Sequence, residues 1–327
     1  MTFFTLILAG ILAAGTPLVL ASLGETFNER AGVINLSMDG AILLSAMTAF
    51  AGASLSGSPW AGLLVGSLTG MAVSLVLATV GLVLGRSQLA VGFTLTLLCR
   101  DLAYFLGKPY ARQPGPQFAV WHIPGLSQIP GIGPVLGNHT PVVYLGLILI
   151  ALSWWWLYRT RAGMRLRAVG ESPGAAFGRG LDVMRYRVGY TLLGGSLVGM
   201  AGAAFSLAVK PGWGSPQGAE GSGWIALAIV IFGGWDPLRV AFGAFFFSAL
   251  QVLGIYLQDS LPGVPAQVFQ TIPFPMMILT LLAVNMGRFT WVRDTAELHP
   301  AIRRVLSYLD VRSPAALGKD FDPKNTF

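Results

Sequence analysis

Apolar runs of about bilayer length, separated by short polar or glycine- and proline-rich stretches, make up most of this chain. An α-helix needs about 20 apolar residues to cross a membrane, because each residue advances the helix by about 1.5 Å. Runs that reach or approach this length cover residues 2–23, 41–54, 60–85, 88–106, 141–158, 188–209, 238–257 and 273–287. The pattern predicts an all-α, polytopic membrane protein with about nine transmembrane helices, within a range of eight to ten.

Two stretches depart from this pattern and predict discontinuous elements. Residues 24–40 are polar and interrupted by glycines, yet apolar runs flank them closely. Residues 224–237 begin with an apolar run that is too short to span as a straight helix and that Gly-Gly-Trp-Asp-Pro ends. Each stretch is either an ordinary connection or a broken helix within the bilayer, where irregular backbone is tolerated if it lines a cavity.

Polar residues inside these apolar surroundings are candidates for a solute path, because discontinuous helices often mark binding sites in transporters. Asn35, Ser37 and Asp39 are the first candidates; alternatively they form a cytoplasmic turn in which Ser37 or Asp39 caps the next helix. Arg100 and Asp101 lie inside a later apolar run, where a charge usually faces a cavity or a partner. Alternatively, both lie near the outer interface and extend their charged groups to water.

Composition supports the membrane assignment and narrows the function. The chain is 54% hydrophobic and 11% charged, whereas a soluble domain carries about 25% charged residues. Seven of the 21 lysines and arginines lie in residues 159–187 and seven more follow residue 287, so the net charge of +7 reflects topology and not a nucleic-acid groove. With a single cysteine, Cys99, and with His122 and His139 in a loop without acidic neighbours, we expect no disulfide, metal site or cofactor.

The charge distribution also predicts the orientation. The basic loop 159–187 should lie in the cytoplasm, and the proline-rich loop 107–140 with little net charge should lie outside it. This places the N-terminus outside and divides the chain into a transmembrane domain, residues 1–290, and a cytoplasmic tail, residues 291–327. We expect the protein in a bacterial or archaeal cytoplasmic membrane.

The basic loop contains the signals of a short helix. Ser172 is placed to be its N-cap and Pro173 its first residue, while Gly178 and Gly180 are stop signals. A helix of about two turns is not stable alone in water, so it needs a surface on which to dock.

Three stretches of the chain resemble signatures of one family. Residues 170–176 read Gly-Glu-Ser-Pro-Gly-Ala-Ala and residues 180–183 read Gly-Leu-Asp-Val, which resembles the coupling-loop motif of ABC importer permeases. The subfamily is that of simple-sugar and nucleoside permeases, related to the ribose and branched-chain amino-acid permeases. Residues 29–40 and 225–237 resemble its other two signatures, in the expected order, and the resemblance runs from about residue 10 to residue 287.

This resemblance implies a permease subunit for a nucleoside or a simple sugar, whose loop helix seats in a cleft of a separate ATPase. The residues that the coupling role would involve are Glu171, Ser172, Pro173, Ala175, Ala176 and Gly180, with the alanines allowing close approach and Glu171 offering a polar contact. Thr96 joins the path candidates, because related permeases often have asparagine at its position. The implied partners are an ABC ATPase, a second and different permease, an extracytoplasmic substrate-binding protein and the lipid bilayer.

The chain has no GxxxxGK[ST] phosphate-binding sequence, so we expect ATP hydrolysis on another subunit and do not expect an enzyme. Two other functions are open at this point. An ion-coupled secondary transporter would use Asp39, Arg100 and Asp101 as its relay. A membrane enzyme would have its site in the loop 107–140, where no nucleophile and base pair is found.

Overall fold

A computed structural model describes residues 3–125, 133–215, 217–260 and 313–321, together with the single residues 275, 278, 279 and 282. Its helices are α1 (Phe3–Arg30), α2 (Met38–Ser56), α3 (Pro59–Leu77), α4 (Gln88–Gly107), α5 (Gly133–Leu136), α6 (Pro141–Arg159), α7 (Arg161–Glu171), α8 (Pro173–Gly178), α9 (Val183–Ala204), α10 (Ser222–Gly233) and α11 (Pro237–Ser260). Two short strands, β1 (Trp121–His122) and β2 (Asn138–His139), form an antiparallel hairpin.

Seven of these helices are long and apolar enough to cross a membrane, which confirms the predicted all-α, polytopic fold. They are α1, α2, α3, α4, α6, α9 and α11, and both α3 and α9 end in a π-helical turn. The predicted short apolar element is α10, at 12 residues. The predicted run 273–287 lies largely outside the described residues.

Two predicted boundaries and the content of the basic loop differ from the structure. Helix α1 does not end before the polar stretch but continues to Arg30, because polar groups such as the Thr26 hydroxyl, which donates to the Ser22 carbonyl (2.7 Å), are buried and hydrogen-bonded. Helix α9 begins at Val183 because the Asp182 carboxylate accepts from the backbone N–H of Arg185 (3.1 Å). The basic loop holds α7 in addition to the predicted short helix.

The centre of the molecule is built from α1, α2, α3 and α9. Where α3 crosses α9, side chains at Gly70 and Gly199 would collide with the opposite backbone, so glycine allows this close approach. The hydroxyls of Ser67 and Ser196 join the same two helices at 2.7 Å. A hydrogen bond of this kind contributes about 0.6 kcal/mol in a membrane protein, so close packing carries most of the contact.

The two ends of the helix array differ in structure. One end carries α7 and α8 beside the end of α1 and the segment 313–321. The other end carries the loop after α4, whose Phe118 backbone N–H donates to the Leu207 carbonyl (2.9 Å). In this loop the His122 ring bonds Asn138 (2.7 Å), and no cluster of metal-binding residues occurs within the described part of the chain.

Candidate functional site

The first helix break covers residues 31–37 and folds back along α1. The backbone N–H groups of Ala31 and Val33 both donate to the Asn28 carbonyl, at 3.0 Å each, and Gly32 has a positive φ of 86°. The backbone N–H of Asn35 then donates to the Glu25 carboxylate at 3.0 Å. Asn35 therefore lies beside a turn of α1 that precedes it by ten residues, well inside the helix array.

The predicted path residues Asn35 and Ser37 are completely buried in this return. The Asn35 side-chain oxygen accepts from both the backbone N–H (3.0 Å) and the hydroxyl (2.5 Å) of Ser37. The Asn35 amide nitrogen has no hydrogen-bond partner among the described residues. In this conformation the two side chains shape the turn and do not line an open surface.

A buried pair of carboxylic acids, Glu25 and Glu29, stands next to the break and was not singled out as a site by the sequence analysis. The Glu25 carboxylate also accepts from the Asn28 side chain (2.7 Å), and the Glu29 carboxylate accepts from the indole N–H of Trp235. Their spacing of four residues in an otherwise apolar region places both acids on one face of α1 and is the signal that could have found them. Neither acid forms an ion pair with a described residue.

The second break, between α10 and α11, is joined to the first through Trp235. Gly234 and Trp235 both have positive φ angles, 67° and 57°, a conformation that costs a tryptophan energy. The indole of Trp235 donates to Glu29, and its carbonyl accepts from the Arg30 guanidinium at 3.0 Å. These bonds compensate for the strained backbone and connect two predicted discontinuous elements that are about 200 residues apart.

The first turns of α2 and α10 are in contact, and α4 packs against the start of α2 beside them. The Asp39 carboxylate accepts from the backbone N–H of Gly223 (3.0 Å), in the first turn of α10, where negative charge is favoured. The Thr96 hydroxyl donates to the Leu36 carbonyl (2.6 Å), and a side chain at Gly40 would collide with the Thr96 backbone. The structure thus brings together the predicted residues Asp39 and Thr96, both buried.

Arg100 is the one predicted path residue that is exposed. It lies on α4 one turn beyond Thr96 and is close enough to Asp39 for their charges to interact. On the same side, the rings of Phe93 and Trp224 stand 6.5 Å apart and connect α4 to α10. The Tyr104 hydroxyl bonds Glu220 just before α10, so polar and aromatic groups share this face.

The short helices of the basic loop form a separate candidate site at the end of the array. Helix α8 begins at Pro173, as predicted, but the Ser172 side chain makes no capping hydrogen bond. Ser172, Ala175 and Gly180 are exposed, whereas Ala176 is 3% exposed and packs with Val169 and Val183. The exposed Glu171 accepts from the backbone N–H of Ala315 (3.2 Å), a residue of the tail.

Helix α7 connects α8 to the first break. Its Gly170 packs so closely on the Arg30 carbonyl, at the end of α1, that a side chain at that position would collide with it. The guanidinium of Arg167 lies over the ring of Tyr158, 5.0 Å from its centre, and the hydroxyl of Tyr158 accepts from Arg30 (3.4 Å). Helix α7 is therefore in direct contact with the end of α1, where the first helix break begins.

Seven candidate spans in the described part of the chain, with two discontinuous elements packed among them and a short exposed helix at one end, fit a membrane transport protein. The chain belongs to the family of branched-chain amino acid transport system permease components, whose model matches residues 7–281. This confirms the suspected permease type, and with the seven spans it confirms a multi-pass protein of a bacterial or archaeal cytoplasmic membrane. The predicted residue roles in coupling and in the path remain predictions.

Three relatives show the type of permease to which the chain is similar. A protein named as a glucose ABC transporter permease, TsgC13 of Haloferax volcanii, is 32% identical over 98% of this chain and 99% of its own. The nucleoside ABC transporter permease protein NupC of Lactococcus lactis is 32% identical over 86% of this chain and 93% of its own. The guanosine ABC transporter permease protein NupQ of Bacillus subtilis is 31% identical over 86% and 91%. No solved structure matches the chain significantly.

Proposed function

We propose that this chain is the transmembrane subunit of an ATP-driven importer, which forms the path for a nucleoside or a simple sugar and is moved by a separate ATPase. In this proposal α7 and α8 lie on the cytoplasmic side, in agreement with the seven arginines of residues 159–187. The tail also lies there, and the loop 107–140 lies on the opposite side.

The observation that carries the proposal is that α8 is exposed to a possible partner while α7, which precedes it, packs directly on the end of α1. Ala175 is exposed, so a partner can approach α8 closely at that position. Gly170, five residues earlier, touches the backbone of Arg30. A displacement of the surface helix would therefore be passed to the end of α1 and to both helix breaks without a flexible connection between them.

The proposed wall of the path is formed by α4, which carries the exposed Phe93 and Arg100, and by the half-buried Trp224 of α10. Phe93, Arg100 and Tyr104 follow one another at helical spacing of seven and four residues, so they share one side of α4. A charged residue within a span is costly against lipid and usually faces water or a partner. We therefore place a second permease subunit opposite this face, with the solute between the two.

The aromatic and polar groups of this face fit a neutral ring compound with hydroxyl groups. The rings of Phe93 and Trp224 offer apolar surfaces to a base or a sugar ring, and Arg100 and Glu220 offer a hydrogen-bond donor and an acceptor. The names of the relatives, which include glucose, nucleoside and guanosine, support this class of solute. A binding protein would deliver it at the end that carries the loop 107–140.

The buried acids Glu25 and Glu29 are the observation that favours the alternative, an ion-coupled carrier that acts without an ATPase. Two carboxylic acids without an ion-pair partner among the described residues are a typical feature of proton-coupled transport. However, both acids already accept hydrogen bonds from residues that hold the breaks together. Family membership and these structural bonds favour the ATP-driven importer.

Uptake by reconstituted protein distinguishes the two functions. The permease is purified with its co-purifying subunits, placed in liposomes, and supplied with labelled guanosine or glucose and a matching binding protein. We expect uptake only when ATP is present on the side of α7 and α8, and none with a non-hydrolysable analogue. Uptake by this chain alone, driven by a proton or sodium gradient, would establish the alternative.

Two substitutions test the wall of the path in the same assay. Arg100→Gln and Trp224→Ala should each lower uptake by about tenfold, which corresponds to losing about 1.4 kcal/mol of contact energy, while the ATPase remains bound. Ile148→Ala, at an exposed apolar position on α6, which packs on α1, α7 and α11, is the matched control and should leave uptake unchanged. If all three variants take up solute as well as the unsubstituted protein, this face is not part of the path.

A further inference from the structure

Residues 313–321, here called the tail segment, return to the helix array and bond to two of its elements. The backbone N–H of Ala316 donates to the carbonyl of Gly170, in the last turn of α7, at 3.0 Å. The backbone N–H of Gly318 donates to the carbonyl of Gly32, just beyond the end of α1, at 3.0 Å. Carbonyls at the ends of helices lack partners within the helix, so the tail segment satisfies groups that would otherwise need water.

A buried arginine of α9 anchors the same segment. Arg187 is 1% exposed and donates from Nη1 to the carbonyl of Lys319 at 2.8 Å. Its Nε and Nη2 atoms have no hydrogen-bond partner among the described residues, although the charge of Asp320 acts on it. Because a buried charge is costly without partners, the Lys319 carbonyl is an important acceptor for this side chain.

The tail segment also contacts both short helices of the basic loop. The backbone N–H of Ala315 donates to the carboxylate of Glu171, at the end of α7, at 3.2 Å. The ring of Phe321 packs edge-on against Phe177 of α8, with 5.7 Å between ring centres. One stretch of nine residues therefore touches α7, α8, α9 and the first helix break.

This segment lies outside the residues that the family model matches. The family model ends at residue 281. The match to TsgC13 covers 98% of this chain and so extends into residues 313–321, whereas the matches to NupC and NupQ cover 86%. The contacts of the tail segment are thus made by residues that lie beyond the family model.

We propose that the tail segment is a positioning element of the coupling apparatus, with Arg187 as its anchor. It holds α7 and α8 against the first helix break, so that a displacement of α8 is passed to α1 and α9. Helices of 11 and six residues are too short to keep a fixed position by themselves. This inference rests on the proposed function, because it assigns the segment a role in coupling to the ATPase.

The docked position can be tested without any transport assay. In a Cys99→Ser background, which has no other cysteine, Glu171→Cys and Ala315→Cys are combined and treated with a short cleavable bis-maleimide. We expect most molecules to become cross-linked within the chain, seen in the intact mass as the addition of a single linker together with lost labelling by a maleimide-polyethylene glycol. The control pair Leu55→Cys and Ala315→Cys joins opposite ends of the array and should stay uncross-linked. Equal cross-linking of both pairs, or of neither, would overturn the docked position.

The role in coupling is tested in the complete reconstituted transporter. Ala316→Pro removes the N–H that bonds to Gly170 and lies outside the membrane domain, so the fold should persist. We expect bound ATPase and continued ATP hydrolysis but uptake lowered by about tenfold, within the usual range of coupling between sites. Ser313→Ala, at the exposed start of the segment, is the control and should behave as the unchanged protein.

Two results would overturn the proposed role. Unchanged uptake by Ala316→Pro would show that the segment positions nothing. Loss of uptake in the cross-linked protein, restored when the linker is cleaved, would show that the segment must leave during transport and is an inhibitor. We expect the cross-linked protein to transport as well as the same double-cysteine protein does before the linker is added. If the unsubstituted complex shows no ATP-driven uptake, the proposed function fails, while the cross-linking result still decides whether the segment docks.

Discussion

The first helix break and the surface helix α8 both interrupt the apolar pattern of the sequence, but their residues differ in exposure to solvent. In residues 31–37 the side chains of Asn35 and Ser37 are fully buried and bond within the turn. In α8 and its flanks, Ser172, Ala175 and Gly180 remain exposed. The break is therefore part of the internal structure of the permease, whereas α8 has an exposed surface, to which we propose that a partner binds.

We therefore expect substitutions to lower stability most at the buried breaks and least on the exposed face of α8. Substitutions at the buried breaks should lower stability strongly, because polar side chains such as Asn35 and Ser37 are fully buried there and form specific hydrogen bonds. Substitutions on the exposed face of α8 should leave stability almost unchanged. If the account is correct, loss of transport at α8 will occur in a folded protein.

The largest loss of stability is expected from Gly223→Leu, where α10 touches α2. A side chain at this position would overlap the backbone of Asp39, which is not able to move as a flexible side chain does. We expect a cost of about 3 kcal/mol or more and little monodisperse protein in detergent, measured by size-exclusion chromatography. Gly189→Leu is the control, since nothing lies within 4 Å of a Cβ there; similar losses in both would contradict the proposed tight contact.

A smaller loss is expected from separating the two breaks at Glu29 and Trp235. Glu29→Leu leaves the indole N–H without its acceptor, which costs about 1–3 kcal/mol. Trp235→Phe removes the other partner, so the double variant should be less destabilised than the sum of the single ones. Thermal unfolding in detergent measures all three, and Glu29→Gln, which keeps an acceptor, should cost less than Glu29→Leu. Additivity within about 0.5 kcal/mol would show that the two residues are not coupled.

The sequence predicts the features that depend on neighbouring residues, but not those that depend on residues far apart along the chain. The spans and the start of α8 at Pro173 follow from local signals, namely apolar length and a serine–proline pair. The exact place of the first break does not, because Glu25 and Glu29 stay helical through partners such as Trp235, about 200 residues away. A local reading treats such polar residues as a loop.

The basic loop shows the same limit for the candidate site. Helix α7 was not predicted, because the arginines between its apolar residues obscure the apolar pattern of its buried face, which is formed by Leu166 and Val169. Ala175 and Ala176 appear equivalent in the sequence, but about 100° of helical rotation exposes the first and buries the second. The bond of Glu171 to the tail crosses 144 positions of the chain and has no local signal.

The smallest effects on stability are expected at the ends of the helices in the basic loop. Asp182→Ala removes an observed cap of α9 and should cost about 1 kcal/mol. Ser172→Ala removes a side chain that makes no capping bond and should cost less than about 0.5 kcal/mol. Hydrogen exchange of residues 173–186 measures both, and an equal effect of the two variants would contradict the observed difference in capping.

The proposed contact between a separate ATPase and the exposed face of α8 can be detected by cross-linking in the intact transporter. A photo-reactive amino acid is placed at Ala175, and another at Leu55, which is 79% exposed at the opposite end of the array. We predict that illumination joins the Ala175 position to a nucleotide-binding subunit, with a yield that changes when ATP is added, and that the Leu55 position gives no such product. A nucleotide-binding subunit captured from Leu55 and not from Ala175 would contradict the claim.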